Sequence, residues 1–140
     1  MRKRDGGMAV IETILFGLLL LVPLMWALGL LADLHRSALA SSSAAREAGF
    51  DAAASNGLAD AKRAVDEAVT RAFVDQGLDP SRARVDWNAT SGLVRGGEVE
   101  VEVSYPVSVA QAPILGSLAG PSIWVNARHV ARIDPFRSLE

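Results

Sequence analysis

Hydrophobic and polar positions divide the chain into three regimes. From Ile14 to Leu31 the sequence reads ILFGLLLLVPLMWALGLL, with no charge and no polar side chain. A run of about 18 such residues predicts a transmembrane helix. At 1.5 Å rise per residue it covers roughly 27 Å, and Met8 to Thr13 extend it to roughly 36 Å. Gly17, Pro23 and Gly29 would weaken a soluble helix, but a bilayer tolerates them. A kink is expected at Pro23, where one backbone hydrogen bond is lost. The span is marked by Ile14, Leu18, Pro23, Trp26 and Leu31. A buried core helix is the competing reading, but the rest of the chain is too small to wrap so long an apolar cylinder.

The second regime is helical with small or alternating faces. Residues 32–54 are rich in Ala and Ser, with Leu34, Ala38, Ala45 and Ala48 as candidate inner positions. Small side chains permit close helix approach, and Ala is also simply a good helix former. Ser41-Ser42-Ser43 is weakly helical and is a candidate break. Ser55-Asn56-Gly57 predicts a turn with an N-cap. Beyond it, Leu58, Ala61, Val65, Ala68, Val69, Ala72 and Phe73 recur at steps of three and four, with charges between them. This predicts an amphipathic helix over 58–76, stopped by Gly77 and followed by an Asp79-Pro80 turn.

The third regime alternates with period two. Three strands are expected, over 82–90, 97–109 and 122–132, as an antiparallel meander. Ser91-Gly92 and Gly96-Gly97 supply the first turn. One face would bury Val and Trp against the amphipathic helix, leaving the other solvated. The row Glu98, Glu100, Glu102 is expected to face Arg82 and Arg84, or Arg128 and Arg132, across strands. Acids on one strand face stand about 6.8 Å apart per step, too far to share one cation unaided. Trp124 and His129 are read as structural. The apolar segment 111–121, with Ile114, Leu115 and Leu118, is a loop for the sheet edge, a membrane leaflet or a partner subunit. Asp134-Pro135-Phe136 is expected to fray. The fold class is therefore α+β, with a long N-terminal transmembrane helix, a second amphipathic helix and a small three-stranded antiparallel sheet.

Composition narrows the function classes. The 140 residues amount to one domain, half of them hydrophobic, with net charge −2 and no cysteine. No basic excess points to nucleic acid. Without cysteine there is no disulfide framework, thiol nucleophile or Cys-based metal site. His35 and His129 lie far apart in sequence, and no metal or cofactor site is expected. None of the sequence patterns GxSxG, Walker A, GxGxxG or HExxH occurs. No catalytic residues are expected, no small-molecule substrate is implied, and the chain does not read as an enzyme.

The junction before the span carries the sharpest signal. Residues 2–12 read RKRDGGMAVIE: a basic leader, Gly6-Gly7, a small or apolar stretch, then Glu12 as the only acid between Gly7 and the apolar run. A cut between Gly7 and Met8 makes Glu12 the fifth residue of the product. This pattern resembles the prepilin-peptidase site of type IV pilins and pseudopilins. With the span and Ser43-Ala44-Ala45-Arg46-Glu47-Ala48-Gly49 after it, the chain resembles the TadE-like family of the tight adherence (Tad or Flp) pilus system over about residues 6–50. The resemblance implies a pilin-like fold and a minor pilin or pilus-assembly protein acting in pilus assembly and cell adhesion. Its partners would be a membrane-embedded prepilin peptidase, other pilin subunits, the Tad assembly platform and the lipid bilayer.

Physical reasons for these residues stand beside the resemblance. Glycine lets an extended chain enter a narrow cleft. Arg2, Lys3 and Arg4 hold the leader at the anionic cytoplasmic face and keep the N-terminus inside. An acid driven to mid-bilayer costs on the order of 2–3 kcal/mol. Cutting exposes an α-amine at Met8 with pKa about 8. That amine can meet Glu12 of a neighbouring subunit; alternatively Glu12 snorkels to the interface or pairs with the amine of its own chain.

The expected organisation is a leader at 1–7, a transmembrane helix at 8–32, a helix extension at 33–54 and an exported α+β domain at 55–140. The protein is expected in the inner (cytoplasmic) membrane as a single-pass chain, N-terminus in, C-terminal domain out. Alternatives are an uncleaved single-pass anchor bearing an exported binding domain, and a type II secretion pseudopilin. Ala38-Leu39-Ala40 before Ser41 also fits the small-x-small rule of signal peptidase, although charges separate it from the apolar run.

Overall fold

The longest uninterrupted pattern becomes the longest element. In a computed structural model describing residues 5–109 and 120–136, with side chains from Met8 onward, helix α1 (Asp5–Ala54) runs for 50 residues. Helical backbone continues through Pro23 and through Ser41-Ser42-Ser43, so no break forms at the serines. Helix α2 (Leu58–Asp75) follows, then a 3-10 turn (Pro80–Arg82) and strands β1 (Arg84–Asn88), β2 (Glu98–Ser108) and β3 (Ser122–Arg132). The sheet is antiparallel in the order β1-β2-β3. The architecture is α+β, and all three strands lie within or on the expected bounds. The leader residues Arg2, Lys3 and Arg4 lie outside the described residues, as do Ile114, Leu115 and Leu118. The described residues fall into two compact units divided after Asp33.

In the second unit small residues decide the packing. Ser37, Ala40, Ser41, Ala44, Ala45, Ala48, Ala52 and Ala53 are all buried. Their three- and four-residue spacing is one stripe of a helix. Of the expected inner positions, Ala45 and Ala48 are buried, Leu34 is half-buried, and Ala38 is exposed. Ser37 and Ser41 hold the inward direction that Ala38 misses. The seam lets α2 and the sheet approach closely. A Cβ on Gly49 would stand 3.1 Å from His129 Cδ2 and 3.4 Å from Ala131 Cβ. Phe50 tilts against the His129 ring at 5.3 Å between centroids. Arg71 of α2 reaches Asp51 at 3.5 Å and Glu47 at 4.0 Å, tying the two helices at their solvent edge.

Helix α2 buries Ala61, Val65, Ala68, Val69, Ala72 and Phe73. Leu58, grouped with these by spacing, is 62% exposed because it opens the first turn, short of the core. Gly57 is the N-cap in extended backbone without a side-chain cap, and the Ser55 hydroxyl instead donates to the Asp51 carbonyl. At the other end Gly77, with φ 67°, closes the helix. The Gly77 and Leu78 N–H groups donate to the carbonyls of Val74 and Phe73. Asp79 then accepts the Ser81 N–H at 2.9 Å and caps the 3-10 turn. Hydrogen bonds from Ser81, and behind them the Arg82 charge, hold the Asp79 carboxyl below its ordinary value.

Strand alternation sorts the sheet into two faces. Val99, Val101, Val103, Tyr105 and Val107 of β2 are buried beneath the helices. Phe73 stacks on Tyr105 at 4.8 Å. Each such side chain contributes about 1.5–3 kcal/mol on full burial. In register, Val101 pairs with Trp87 on one side and His129 on the other. Gly96 and Gly97 exchange backbone hydrogen bonds with Ile133, extending the β2–β3 ladder past the last strand residue. Ile133 is consequently buried.

Candidate functional site

The candidate site is the leading part of α1. Two polar side chains, Glu12 and Thr13, occur between Met8 and Ala32. Thr13 Oγ1 donates to the Ala9 carbonyl at 2.8 Å, which satisfies its hydroxyl without water. Glu12 is exposed on the helix surface, four residues and about 6 Å of rise beyond Met8. Gly6 and Gly7 fall in the first turn of α1, because the helix begins at Asp5.

The large apolar side chains around them are uncovered. Met8 is 74% exposed, Ile14, Leu18 and Leu31 are comparably open, and Leu28 is 50% exposed. Trp26 is half-buried and Pro23 is exposed. The stretch is long and apolar enough to cross a membrane, and none of its most apolar window is buried within the chain. Length and composition fit a spanning helix and a secretion signal alike. Apolar area on this scale is tolerated only when lipid or other helices cover it.

The outer sheet face is the other concentration of functional groups. Glu98 meets Arg132 at 3.1 Å and Glu100 meets Arg128 at 2.6 Å, realising one of the two expected pairings. Arg82 and Arg84 do not meet the glutamates. Arg82 donates to the Pro106 carbonyl at 3.1 Å and lies over Tyr105. The Arg84 guanidinium stacks 4.1 Å from the centre of the Trp124 ring. Sequence reasoning missed this stack: Arg84 and Trp124 are on strands separated by β2, and only the register through Ser104 and Pro106 brings them together. Asp86 stands directly opposite Glu102, two like charges in one cross-strand pair. Among the described residues no three His, Asp or Glu side chains converge to hold a metal ion.

His129 lies on the inner face against Phe50 and Gly49, consistent with a packing role. Its Nε2 is buried and has no hydrogen-bond partner among the described residues, and the same holds for Ser41 Oγ. Compared with family models, with curated proteins and with solved structures, the chain finds no match.

Proposed function

We propose that this protein is a minor pilin or pilus-assembly subunit of the Tad/Flp type, structural rather than catalytic. The observation that carries the reading is Glu12: a single exposed carboxylate four residues after Met8, on a helix otherwise uncharged and largely uncovered through Leu31. In this reading α1 inserts with its N-terminus in the cytoplasm, and the domain after Asp33 lies outside. A prepilin peptidase cuts between Gly7 and Met8. Helical backbone at Gly6 and Gly7 must unwind for that cut, and glycine lowers the barrier, since each residue disfavours helix by about 1 kcal/mol relative to Ala. The new amine at Met8 is mostly protonated at neutral pH, and Glu12 of an adjacent subunit is its partner in the low-dielectric interior of the assembly. The bare apolar surface then becomes packing area between subunits.

Intact mass and N-terminal sequencing of the membrane-extracted protein test the reading, in cells with and without the peptidase. The expected product begins at Met8 and appears only with the peptidase. A chain that keeps its basic leader in both cells, and never accompanies a fibre, overturns it. A second reading is the uncleaved single-pass anchor with an exported binding domain. It is favoured by the helix running through Gly6 and Gly7 without interruption, and the same mass measurement separates the two.

A further inference from the structure

Ser55-Asn56-Gly57 links α1 to α2 and belongs to neither helix, and Asn56 is exposed there. Gly57 is extended, with φ −165° and ψ 164°, a conformation open to residues with side chains. A Cβ added to Gly57 would meet nothing within 4 Å. Neither backbone strain nor packing therefore calls for glycine at this position, and serine would cap α2 better. What the glycine does change is chemistry. With no side chain, its backbone nitrogen stands unshielded beside the Asn56 amide group.

We infer that Asn56 is a modification site at which the chain deamidates itself, with water as the only co-reactant. The Gly57 backbone nitrogen attacks Asn56 Cγ. A new N–Cγ bond forms and the Cγ–Nδ2 bond breaks. Nδ2 leaves as ammonia, carrying the proton that the Gly57 nitrogen gives up. Water then opens the five-membered succinimide ring. Attack at Cγ breaks the new bond and leaves an ordinary aspartate in place of Asn56. Attack at the Asn56 backbone carbonyl leaves isoaspartate, with the main chain routed through the former side chain. Overall one ammonia is exchanged for one water, and nothing is oxidised or reduced. The chain has two other asparagines, Asn88 and Asn126, each followed by alanine. Both sit in strands, opposite Glu100 and Ser104. Ring closure requires the asparagine backbone to turn, which a strand ladder resists and a three-residue link between helices permits. Each conversion adds one negative charge just before the N-cap of α2, where the helix macrodipole favours an anion, so the aspartate form keeps the fold. The formal net charge, −2 in the unmodified chain, thus grows more negative as the chain ages. This inference does not rest on the pilin reading.

The test incubates the full chain in detergent at body temperature, in neutral and in mildly alkaline buffer. Tryptic peptides are then read by mass, and isoaspartate is read by enzymatic methyl transfer. The peptide from Glu47 to Lys62 is expected to exchange its amide for a carboxyl group, with isoaspartate among the products. Conversion is expected to run faster in the alkaline buffer, because the attacking nitrogen must lose its proton. The peptides holding Asn88 and Asn126 are expected to stay intact over the same period. Gly57→Ser, which the extended backbone and open space accommodate, is expected to slow conversion several-fold with the circular dichroism spectrum unchanged. The inference fails if Asn56 stays intact in the folded chain while a guanidinium-unfolded sample converts. It fails equally if Asn88 or Asn126 converts as fast as Asn56, or if Gly57→Ser leaves the rate unchanged.

Discussion

At the scale of single residues, two buried positions in α1 make opposite predictions. Ser41 presents a fully buried hydroxyl with no partner among the described residues. A buried, unsatisfied hydroxyl costs about 1–3 kcal/mol, and Ala is also the better helix former. Ser41→Ala is therefore expected to stabilise the protein by about 1 kcal/mol, read as a higher midpoint of urea unfolding in detergent. Gly49 is the reverse case. Its missing Cβ leaves 3.1 Å to the His129 ring, so a large side chain has nowhere to go. Gly49→Leu is expected to cost about 1–3 kcal/mol by overpacking, on the same urea curve. An unchanged midpoint for Gly49→Leu would mean that α1 and β3 are not in close contact at this point.

At the scale of elements, the sheet carries a correctable flaw. Asp86 and Glu102 face each other across β1 and β2. Replacing a repulsive pair by an attractive one is worth about 0.2–1 kcal/mol in a sheet. Asp86→Lys should raise the melting temperature slightly, and high salt should erase the gain because the site is exposed. Much of this level was legible in the sequence. Val99, Val101, Val103, Tyr105 and Val107 alternate with polar residues so strictly that β2 and its buried face follow directly. Helix α2 was equally clear from Ala61 to Phe73. The α1 seam was not. Ala and Ser differ too little in hydrophobicity to reveal which turn faces inward, so the pattern points to Ala38 where the fold buries Ser37 and Ser41. Leu58 shares the spacing of the buried face yet stays exposed, because spacing shows a helix face but not where that face meets its neighbour. The Arg84–Trp124 stack needed a register that pattern alone does not supply. At the candidate site the sequence gives the residue types of Glu12 and the apolar run, and the fold adds that the chain itself leaves them uncovered.

At the scale of the whole molecule, the two units ask for different surroundings. Residues 34–54 complete the core of the second unit, while the stretch before Asp33 remains bare. If α1 packs beside relatives of itself, Glu12→Ala should leave the protein in the membrane but remove it from sheared fibres. Immunoblotting of the two fractions checks this, and equal incorporation of wild type and variant would sink the charge-pairing step. The brevity of β1 has one more consequence. Five residues, none of them fully buried, close that side of the sheet, whereas β2 keeps a continuous buried row behind it. Local opening starts where the fewest bonds must break. The domain should therefore breathe at β1, with its amides exchanging for deuterium well ahead of those in β2, and with Trp87 brightening or dimming as an intrinsic fluorescent reporter of each excursion.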